Sequence, residues 1–415
     1  MNIINPVTIT DAMIGVNSTV LEPSGSDAEW SNASVAYTVG QTVKRSTTRK
    51  RYRCLEDHTS AASPLPEADP TRWLDIGFAE YPWAPSTAYV AGDIVTRNTT
   101  TRKKYSCVVA HTSAASPPPE DDPERWVVLG DAEQAWSGSA VSYQVGDVVA
   151  RSTTHRKYKC AVAHTSAASP LPEDDPTRWV DWGPTDRWAP FDAYSSSAVL
   201  TSTSVTYVLT PGYVNALAMY GLTGAQYSVT IRDAPGGSVI FSASDFLLEP
   251  PLGWYEYLFA PPRTLSKIVL TDLPIRPEAE FTITVTAATG RPVGIGMIVV
   301  GDFVPLAQPG KWGGTTHGAS AEPVTYSYIK MAEDGTATII RRHKATNLRC
   351  QVVIPREDAD FAVSVVQQVL DVPVAWVATD KRGYNGLTTF GIGSGSMVYD
   401  SFGTASFEIF VKGLI

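Results

Sequence analysis

The sequence contains little charge and few cysteines for its length. Of its 415 residues, 18% are charged and 4 are cysteines. The 42 acidic residues outnumber the 33 basic ones, so the chain lacks the concentrated basic face on which phosphate binding depends. No segment is apolar over the length that a bilayer requires. We therefore expect neither a nucleic-acid partner nor a membrane span.

Targeting and disulfide signals are also missing. The N-terminal residues MNIINPVTITDAM lack the basic opening and the apolar core of a secretory signal, so none is predicted. The cysteines are so far apart that no small unit could close its own disulfide, and we expect them to be reduced and buried. They are Cys54, Cys107, Cys160 and Cys350.

Local catalytic motifs are absent as well. The sequence has no G-x-S-x-G elbow, no H-E-x-x-H pair and no phosphate-cradling loop. Carboxylates brought together from distant strands would leave no local signature, so glycoside hydrolysis stays open on sequence grounds. We expect no enzymatic activity and no cofactor.

An internal repeat of 53 residues dominates the first half of the chain. Each copy contains an opening tryptophan, a cysteine, a histidine and a closing tryptophan. The opening tryptophans are Trp30, Trp83 and Trp136; the histidines are His58, His111 and His164; the closing tryptophans are Trp73, Trp126 and Trp179. This repetition predicts three tandem modules, 29–79, 80–132 and 133–183, after an N-terminal arm of residues 1–28.

Short strands are predicted within each module. A glycine turn leads into one strand in YTVGQTVKR, YVAGDIVTR and YQVGDVVAR, and a polar turn leads to its partner in KRYRCL, KKYSCV and RKYKCA. The pattern predicts a small antiparallel meander. A unit of about 50 residues buries little apolar surface, so large aromatic side chains must fill its core. We assign the closing tryptophans to that core.

The order of these residues resembles a known family. A tryptophan, a Tyr-x-x-Gly turn, Tyr-x-Cys, His-Thr-Ser and a proline-rich loop ending in tryptophan are typical of the chitin-binding modules of families 5 and 12. The resemblance covers residues 30–183 and rests most on the loops HTSAASPLPEADPTRW, HTSAASPPPEDDPERW and HTSAASPLPEDDPTRW. It implies a carbohydrate-binding fold whose ligand stacks on exposed aromatic side chains.

One departure from the family concerns the position that commonly stacks on sugar. Where the family commonly has an exposed tryptophan after the His-Thr-Ser turn, this sequence has Pro64, Pro117 and Pro170. Proline offers a pyranose ring only a poor flat apolar face. The predicted stacking residues are instead the opening tryptophans and the tyrosines before the glycine turns, here called the turn tyrosines. These site residues are Trp30, Tyr37, Trp83, Tyr89, Trp136 and Tyr143.

The remaining repeated features have simpler interpretations. Each module offers a cysteine and a histidine, whereas zinc needs four ligands, so no metal is predicted and His-Thr-Ser is expected to order its turn by hydrogen bonds. The acidic Asp-Pro loops are turns rather than calcium sites. The runs KRSTTRKRYR, RNTTTRKK and RSTTHRKYK are predicted to be solvated hairpin tips, with attraction to acidic glycans or lipopolysaccharide phosphates as the alternative.

The second half predicts two further mainly β units. Residues 184–302 begin like a fourth module at TDRWAPFDAY and then continue as the alternating runs SVTYVL, YSVTIRD, WYEYLF, KIVLT, FTITVTA and IGMIVVG. These runs predict a β-sandwich that resembles the galactose-binding-like or jelly-roll type. Residues 303–415 predict a β-rich docking domain with one helix. Its predicted apolar face consists of Phe361, Val365 and Val369 with Ala362, Val366 and Leu370 alongside them, and Asp358 is predicted to cap its start.

The arrangement as a whole resembles tail-tip or baseplate proteins of tailed bacteriophages. The opening INPVTITDAM, the modules, the sandwich and the closing SFEIFVKGLI carry this resemblance. It implies a virion tail protein, assembled in the host cytoplasm, whose modules contact host cell-surface polysaccharide or lipopolysaccharide during adsorption. The implied partners are other tail proteins and further copies of the chain in a symmetric assembly. The alternatives are a secreted bacterial polysaccharide- or chitin-binding accessory protein, and modules that act only as spacers.

Overall fold

The computed structural model describes residues 1–23, 27–194, 197–249, 251, 253–260, 263–308, 310–331, 336–341, 344–379 and 384–414. Across these residues the chain is mainly β with two α-helices, which confirms the predicted fold class. It consists of three small modules, a sandwich and a C-terminal region.

The three modules are built alike. Each has a four-stranded main sheet, whose first strand pairs in parallel with the second while the other pairs are antiparallel. The modules are therefore mixed rather than purely antiparallel, because the chain crosses a separate small sheet between those two strands. The main-sheet strands are Ala28–Glu29, Thr42–Arg45, Lys50–Cys54 and Trp73–Phe78; Glu80–Pro82, Ile94–Thr96, Lys103–Cys107 and Trp126–Asp131; and Glu133–Ala135, Val148–Arg151, Arg156–Cys160 and Trp179–Pro184.

The small sheet of each module has two antiparallel strands. It pairs the turn tyrosine with the histidine of the His-Thr-Ser loop. The strand pairs are Ala36–Tyr37 with His58–Thr59, Ala88–Tyr89 with His111–Thr112, and Ser142–Tyr143 with His164–Thr165. The proline-rich loops contain the 3-10 turns Pro66–Ala68, Pro119–Asp121 and Pro172–Asp174.

Each module has a separate core of five buried side chains. In the second module these are Tyr89, Val95, Tyr105, Cys107 and Trp126, and the equivalent residues fill the other two. The closing tryptophans are therefore core residues, as their sequence context predicts. All four cysteines are buried and unpaired, also as predicted.

Residues 184–302 form a sandwich-like unit. A four-stranded antiparallel sheet faces part of a larger sheet, and the core between them includes the fully buried Tyr207, Leu217 and Phe281. The strands of the smaller sheet are Ser204–Leu209, Gln226–Arg232, Val239–Phe246 and Glu280–Thr286, and Val199–Thr201 pairs with Val293–Ile295.

A ten-stranded sheet joins the sandwich to the C-terminal region. In its middle lies Asn2–Pro6, paired antiparallel with Met297–Pro305 on one side and with Val374–Val377 on the other. The residues assigned to an N-terminal arm thus include a central strand, and Ile3 and Ile4 are both buried. The other strands are Ala216–Tyr220, Lys267–Leu270, Gly314–Thr315, Ser320–Thr325, Lys344–Pro355, Thr388–Tyr399 and Thr404–Gly413. A separate hairpin pairs Tyr328–Met331 with Ala337–Ile340.

The predicted C-terminal helix spans Ala359–Gln368, and two details differ from expectation. Of the predicted apolar face, Ala362, Val365, Val366 and Val369 are buried, whereas Phe361 and Leu370 at its margin are exposed. Asp358 stands at the N-cap but makes no capping bond. Its carboxylate instead accepts a hydrogen bond from Lys311 Nζ at 2.8 Å, which removes it from the helix N–H groups.

The segment WYEYLF was wrongly predicted as a strand, since it forms the helix Trp254–Phe259. The segment has one charged residue, Glu256, so it shows no alternation of polar and apolar residues that would indicate a strand. The strand prediction therefore rested on its aromatic composition alone. The remaining 3-10 turns are Asp11–Met13, Ala189–Phe191, Arg356–Asp358 and Asn385–Leu387. None of the helices in the described ranges combines the length and the hydropathy needed to cross a bilayer.

The central position of the strand Asn2–Pro6 leads to a first testable prediction. Ile4 is fully buried where the sandwich and the C-terminal region share a strand. Ile4→Ala should lower the free energy of unfolding by about 2–4 kcal/mol, because the truncated side chain leaves a cavity. Urea unfolding followed by circular dichroism measures this, and Val16→Ala, at a position 63% exposed, is the control. Equal unfolding midpoints for Ile4→Ala and the control would contradict the central placement of this strand.

Candidate functional site

The most regular feature of the modules is an aromatic cluster around each closing tryptophan. The turn tyrosine meets the closing tryptophan edge to face, with ring centroids 5.0–5.2 Å apart in the three modules. The histidine contacts the same tryptophan edge to face at 5.1–5.3 Å. Such contacts stabilise a small core beyond the area that they bury.

The histidine and the serine of the His-Thr-Ser loop make structural hydrogen bonds. In the first module His58 Nδ1 lies 2.7 Å from the carbonyl oxygen of Glu56, which can only accept, so the ring donates. The buried Ser60 hydroxyl accepts the Val35 N–H at 2.9 Å. Both bonds recur in the other modules. The predicted role of this loop in ordering its turn agrees with this geometry.

The cysteine thiols adjoin these histidines, with Sγ to Nδ1 distances of 3.6–3.8 Å. Burial raises the pKa of the Cys54 and Cys160 thiols and raises the pKa of Cys107 to about 11, so the thiols are protonated at neutral pH. Each thiol donates to a backbone carbonyl two residues on. Within the described parts of the chain, no group of three or more His, Cys, Asp or Glu is placed to hold a metal ion.

The turn tyrosines lie inside the modules. Tyr37, Tyr89 and Tyr143 are buried, and their rings pack on the closing tryptophans. Their hydroxyls accept N–H groups of the segment after the opening tryptophan, at 2.9–3.0 Å. This burial leaves no tyrosine ring face open for a sugar to stack on.

The opening tryptophans are partly buried, and each has a cation over one ring face. Arginine guanidinium carbons lie 4.8–5.0 Å from the ring centroids in all three modules. A glutamate of the proline-rich loop fixes each arginine through an ion pair of 2.8–3.1 Å. The repeated sets are Trp30, Arg45 and Glu67; Trp83, Arg97 and Glu120; and Trp136, Arg151 and Glu173. A ligand therefore has access to at most one face and the edge of each ring.

The prolines that replace the family's tryptophan are exposed. Pro64, Pro117 and Pro170 follow cis peptide bonds at the surface of their loops. Their neighbours Ala61 and Ala62, like the equivalent alanines of the other modules, are exposed as well. The position remains open to solvent, but it carries no flat ring.

Most cations of the basic runs form ion pairs, either inside their module or with the next unit. Lys50, Lys103 and Arg156 pair with acids on the adjacent closing strand at 2.5–2.7 Å. Further pairs link Arg72, Arg125 and Arg178 to acids three residues earlier. Exposed pairs add little stability, but they leave few unpaired cations for a phosphate-rich ligand.

The hairpin tips connect consecutive modules. Arg49, Arg102 and His155 occupy equivalent tip positions with positive φ of 53–55°. Arg49 reaches Asp93 of the second module, with Nε to Oδ2 at 3.6 Å, and Arg102 reaches Asp147 of the third at 2.7 Å. His155 stacks on Trp188, which lies beyond the last complete module, with ring centroids 4.2 Å apart. The modules therefore form one row, which ends on the sandwich.

A buried ion cluster lies where the second and third modules meet the sandwich, beside a cavity of about 440 Å³. Asp186 accepts from Lys104 Nζ at 2.5 Å and from Lys157 Nζ at 3.1 Å, and Lys157 also pairs with Glu133 at 2.9 Å. Burial raises the pKa of Glu133 well above its ordinary value, and Asp186 adds to the rise. Burial opposes ionisation of Asp186 too, but the two lysines outweigh it and lower its pKa.

Sequence reasoning missed one exposed aromatic residue of the modules. Trp182 is 46% exposed, on the last strand of the third module. It follows Trp179 by three residues, in the stretch WVDWG. The sequence alone could have singled out this tryptophan, because the first two modules have an aliphatic residue at the same repeat position.

Comparison with known families supports a carbohydrate-binding module. Residues 82–127 match the model of carbohydrate-binding module family 5/12. The matched range runs from just before Trp83 to just after Trp126, so it contains the aromatic cluster and loops of the second module. The first and third modules repeat the same strands and contacts. A search of curated proteins finds no match to the chain.

The ion cluster makes a second prediction. Asp186→Asn removes the carboxylate shared by two buried lysines and should lower the free energy of unfolding by about 3 kcal/mol at neutral pH. Because the folded pKa of Asp186 is lowered, its stabilisation is present above the ordinary aspartate range and is lost as pH falls through and below that range. The variant should therefore lose less stability than the wild type upon acidification.

Thermal unfolding between about pH 7 and pH 3 measures both effects. Asp121→Asn, at an exposed position in the proline-rich loop of the second module, is the matched control. If Asp186→Asn and Asp121→Asn showed the same midpoint and the same pH dependence, the cluster would not stabilise this junction.

Proposed function

We propose that the chain is a non-enzymatic glycan-binding protein of a bacteriophage tail tip or baseplate, and that its three modules contact host cell-surface polysaccharide during adsorption. The observation that carries the glycan-binding part is the family match over residues 82–127 within a module that occurs three times. The tail assignment rests on the resemblance of the sequence as a whole to tail-tip proteins.

The charge pattern favours an uncharged glycan over lipopolysaccharide phosphates. The cations of the basic runs are largely engaged in ion pairs inside their modules or between neighbours. Three cations have no such pair among the described contacts: Lys44 and Lys159 lie over the rings of Tyr81 and Trp182, and the buried Arg53 donates to the Ser18 carbonyl oxygen. A phosphate-binding surface needs several free cations converging on one site.

The opening tryptophans are the repeated stacking candidates in this proposal. They are the aromatic side chains of the repeat that remain partly accessible, whereas the turn tyrosines and closing tryptophans fill the cores. A shallow site with one accessible ring face binds a sugar weakly. Three linked copies on a repetitive surface raise the residence time through effective concentration.

The binding proposal predicts sedimentation with an insoluble glycan. The full-length chain should co-sediment with bacterial cell envelopes or with insoluble chitin, and binding should persist at about 0.5 M NaCl because little of it is ionic. Combined Trp30→Ala, Trp83→Ala and Trp136→Ala substitutions should weaken binding by about tenfold or more. Trp254→Ala, at an 81% exposed position outside the modules, is the matched control.

Circular dichroism of each variant separates lost binding from lost folding. Retention of full binding by a folded triple variant would remove the opening tryptophans from the site. A wild-type chain that bound no surface polymer would leave the modules as spacers and contradict glycan binding.

The tail assignment predicts that the chain is a component of the virion. Phage particles induced from the strain that carries the gene, and purified on a density gradient, should contain the chain by mass spectrometry. Gold-labelled antibodies against it should mark the distal end of the tail. If purified particles lacked the chain while the culture medium contained it, a secreted accessory protein would be the better description.

A further inference from the structure

Trp182 departs from the pattern of the repeat in both identity and exposure. The equivalent residues of the first two modules, Ile76 and Leu129, are aliphatic and only 6% and 4% exposed. The third module has a tryptophan there instead, on the edge strand Trp179–Pro184, and its ring is 46% exposed. The equivalent side chains are buried in the other modules, so packing of the module core does not explain an exposed tryptophan at this position.

The ring is held in one orientation by its neighbours. Trp182 Nε1 donates to Asp131 Oδ2 at 2.9 Å, across the boundary between the second and third modules. The other Asp131 oxygen accepts from Lys103 Nζ at 2.6 Å. Lys159 Nζ lies 4.2 Å from the ring centroid, over one face. Among the described residues no other ring or cation contacts the indole, and 46% of the side chain is exposed, so part of an oriented apolar ring remains open to a ligand.

We propose that Trp182 is a sugar-stacking platform that binds the apolar face of an uncharged pyranose unit. An oriented indole face matches the axial C–H face of a pyranose, and the Asp131 carboxylate and Lys103 ammonium at the ring edge can accept from and donate to its hydroxyls. This site rests on the proposed glycan-binding function and adds a residue outside the repeated module pattern.

The contact with Asp131 does not by itself account for the tryptophan. The first and second modules meet through the Arg49 hairpin tip, with Phe78 at the position of Asp131 and no tryptophan at the position of Trp182. The second and third modules already have the corresponding Arg102 contact with Asp147 at 2.7 Å. The hydrogen bond therefore orients the ring, and the exposed face remains available to a ligand.

Two substitutions at the same position separate ring stacking from the hydrogen bond. Trp182→Ala removes both, whereas Trp182→Phe keeps a smaller apolar ring and loses the N–H donor. In the full-length chain, depletion isotherms with insoluble chitin and with isolated bacterial envelopes should show about tenfold weaker binding for Trp182→Ala and a change within about threefold for Trp182→Phe. Trp312→Ala, at a 54% exposed position outside the modules, should bind like the wild type.

Each outcome decides a different point. Equal weakening by Trp182→Ala and Trp182→Phe, with lower thermal midpoints for both, would assign the residue to the module junction and overturn the platform. Wild-type binding by Trp182→Ala, together with loss of binding in the triple variant of the opening tryptophans, would overturn the platform while leaving the proposed function intact. If the wild type bound neither probe, both proposals would fall.

Discussion

A module of about 50 residues has to build its core from its own aromatic side chains, and this requirement determines where those side chains lie. In all three modules the closing tryptophan, the turn tyrosine and the histidine pack together edge to face. The opening tryptophan packs at the margin of this core, under an arginine. Little aromatic surface is left for a ligand, so a binding site has to use the margin of the core or an added residue. Trp182 is such an added residue.

The charges join the modules to one another and to the sandwich. At the first two junctions an arginine at a hairpin tip meets an aspartate of the next module. At the last junction the sequence contains only the start of a fourth copy of the repeat. Asp186 occupies the repeat position of Glu80 and Glu133, and it pairs with Lys104 and Lys157. His155 stacks on Trp188. The start of this incomplete copy therefore contacts the third module through Asp186 and Trp188. The row therefore ends on the sandwich through residues of the same repeat.

Much of this arrangement could be predicted from the sequence, because the repeat spacing fixes which residues share a position. The module strands, the buried closing tryptophans, the buried cysteines and most sandwich strands follow from periodicity. Three features do not. The burial of Tyr37 depends on its contact with Trp73, which is distant in sequence. The central place of Asn2–Pro6 depends on partners almost 300 residues away or more. The Trp254–Phe259 helix has an aromatic composition that strands and helices share. Tertiary contacts likewise determine which face of each opening tryptophan an arginine covers.

Junctions fixed by ion pairs also determine how the modules can act together. Flexible linkers would let each module find its own sugar, at the entropic cost of ordering every linker upon binding. Modules held through Arg49, Arg102 and the Asp186 cluster avoid that cost, but they can engage simultaneously only where the spacing of the polymer matches the spacing of the row. Under the proposed function, such an array would favour extended, regularly repeating polymers over short oligosaccharides. The central strand Asn2–Pro6 pairs with strands of both the sandwich and the C-terminal region. It therefore joins these two units into the single body on which the row of modules ends.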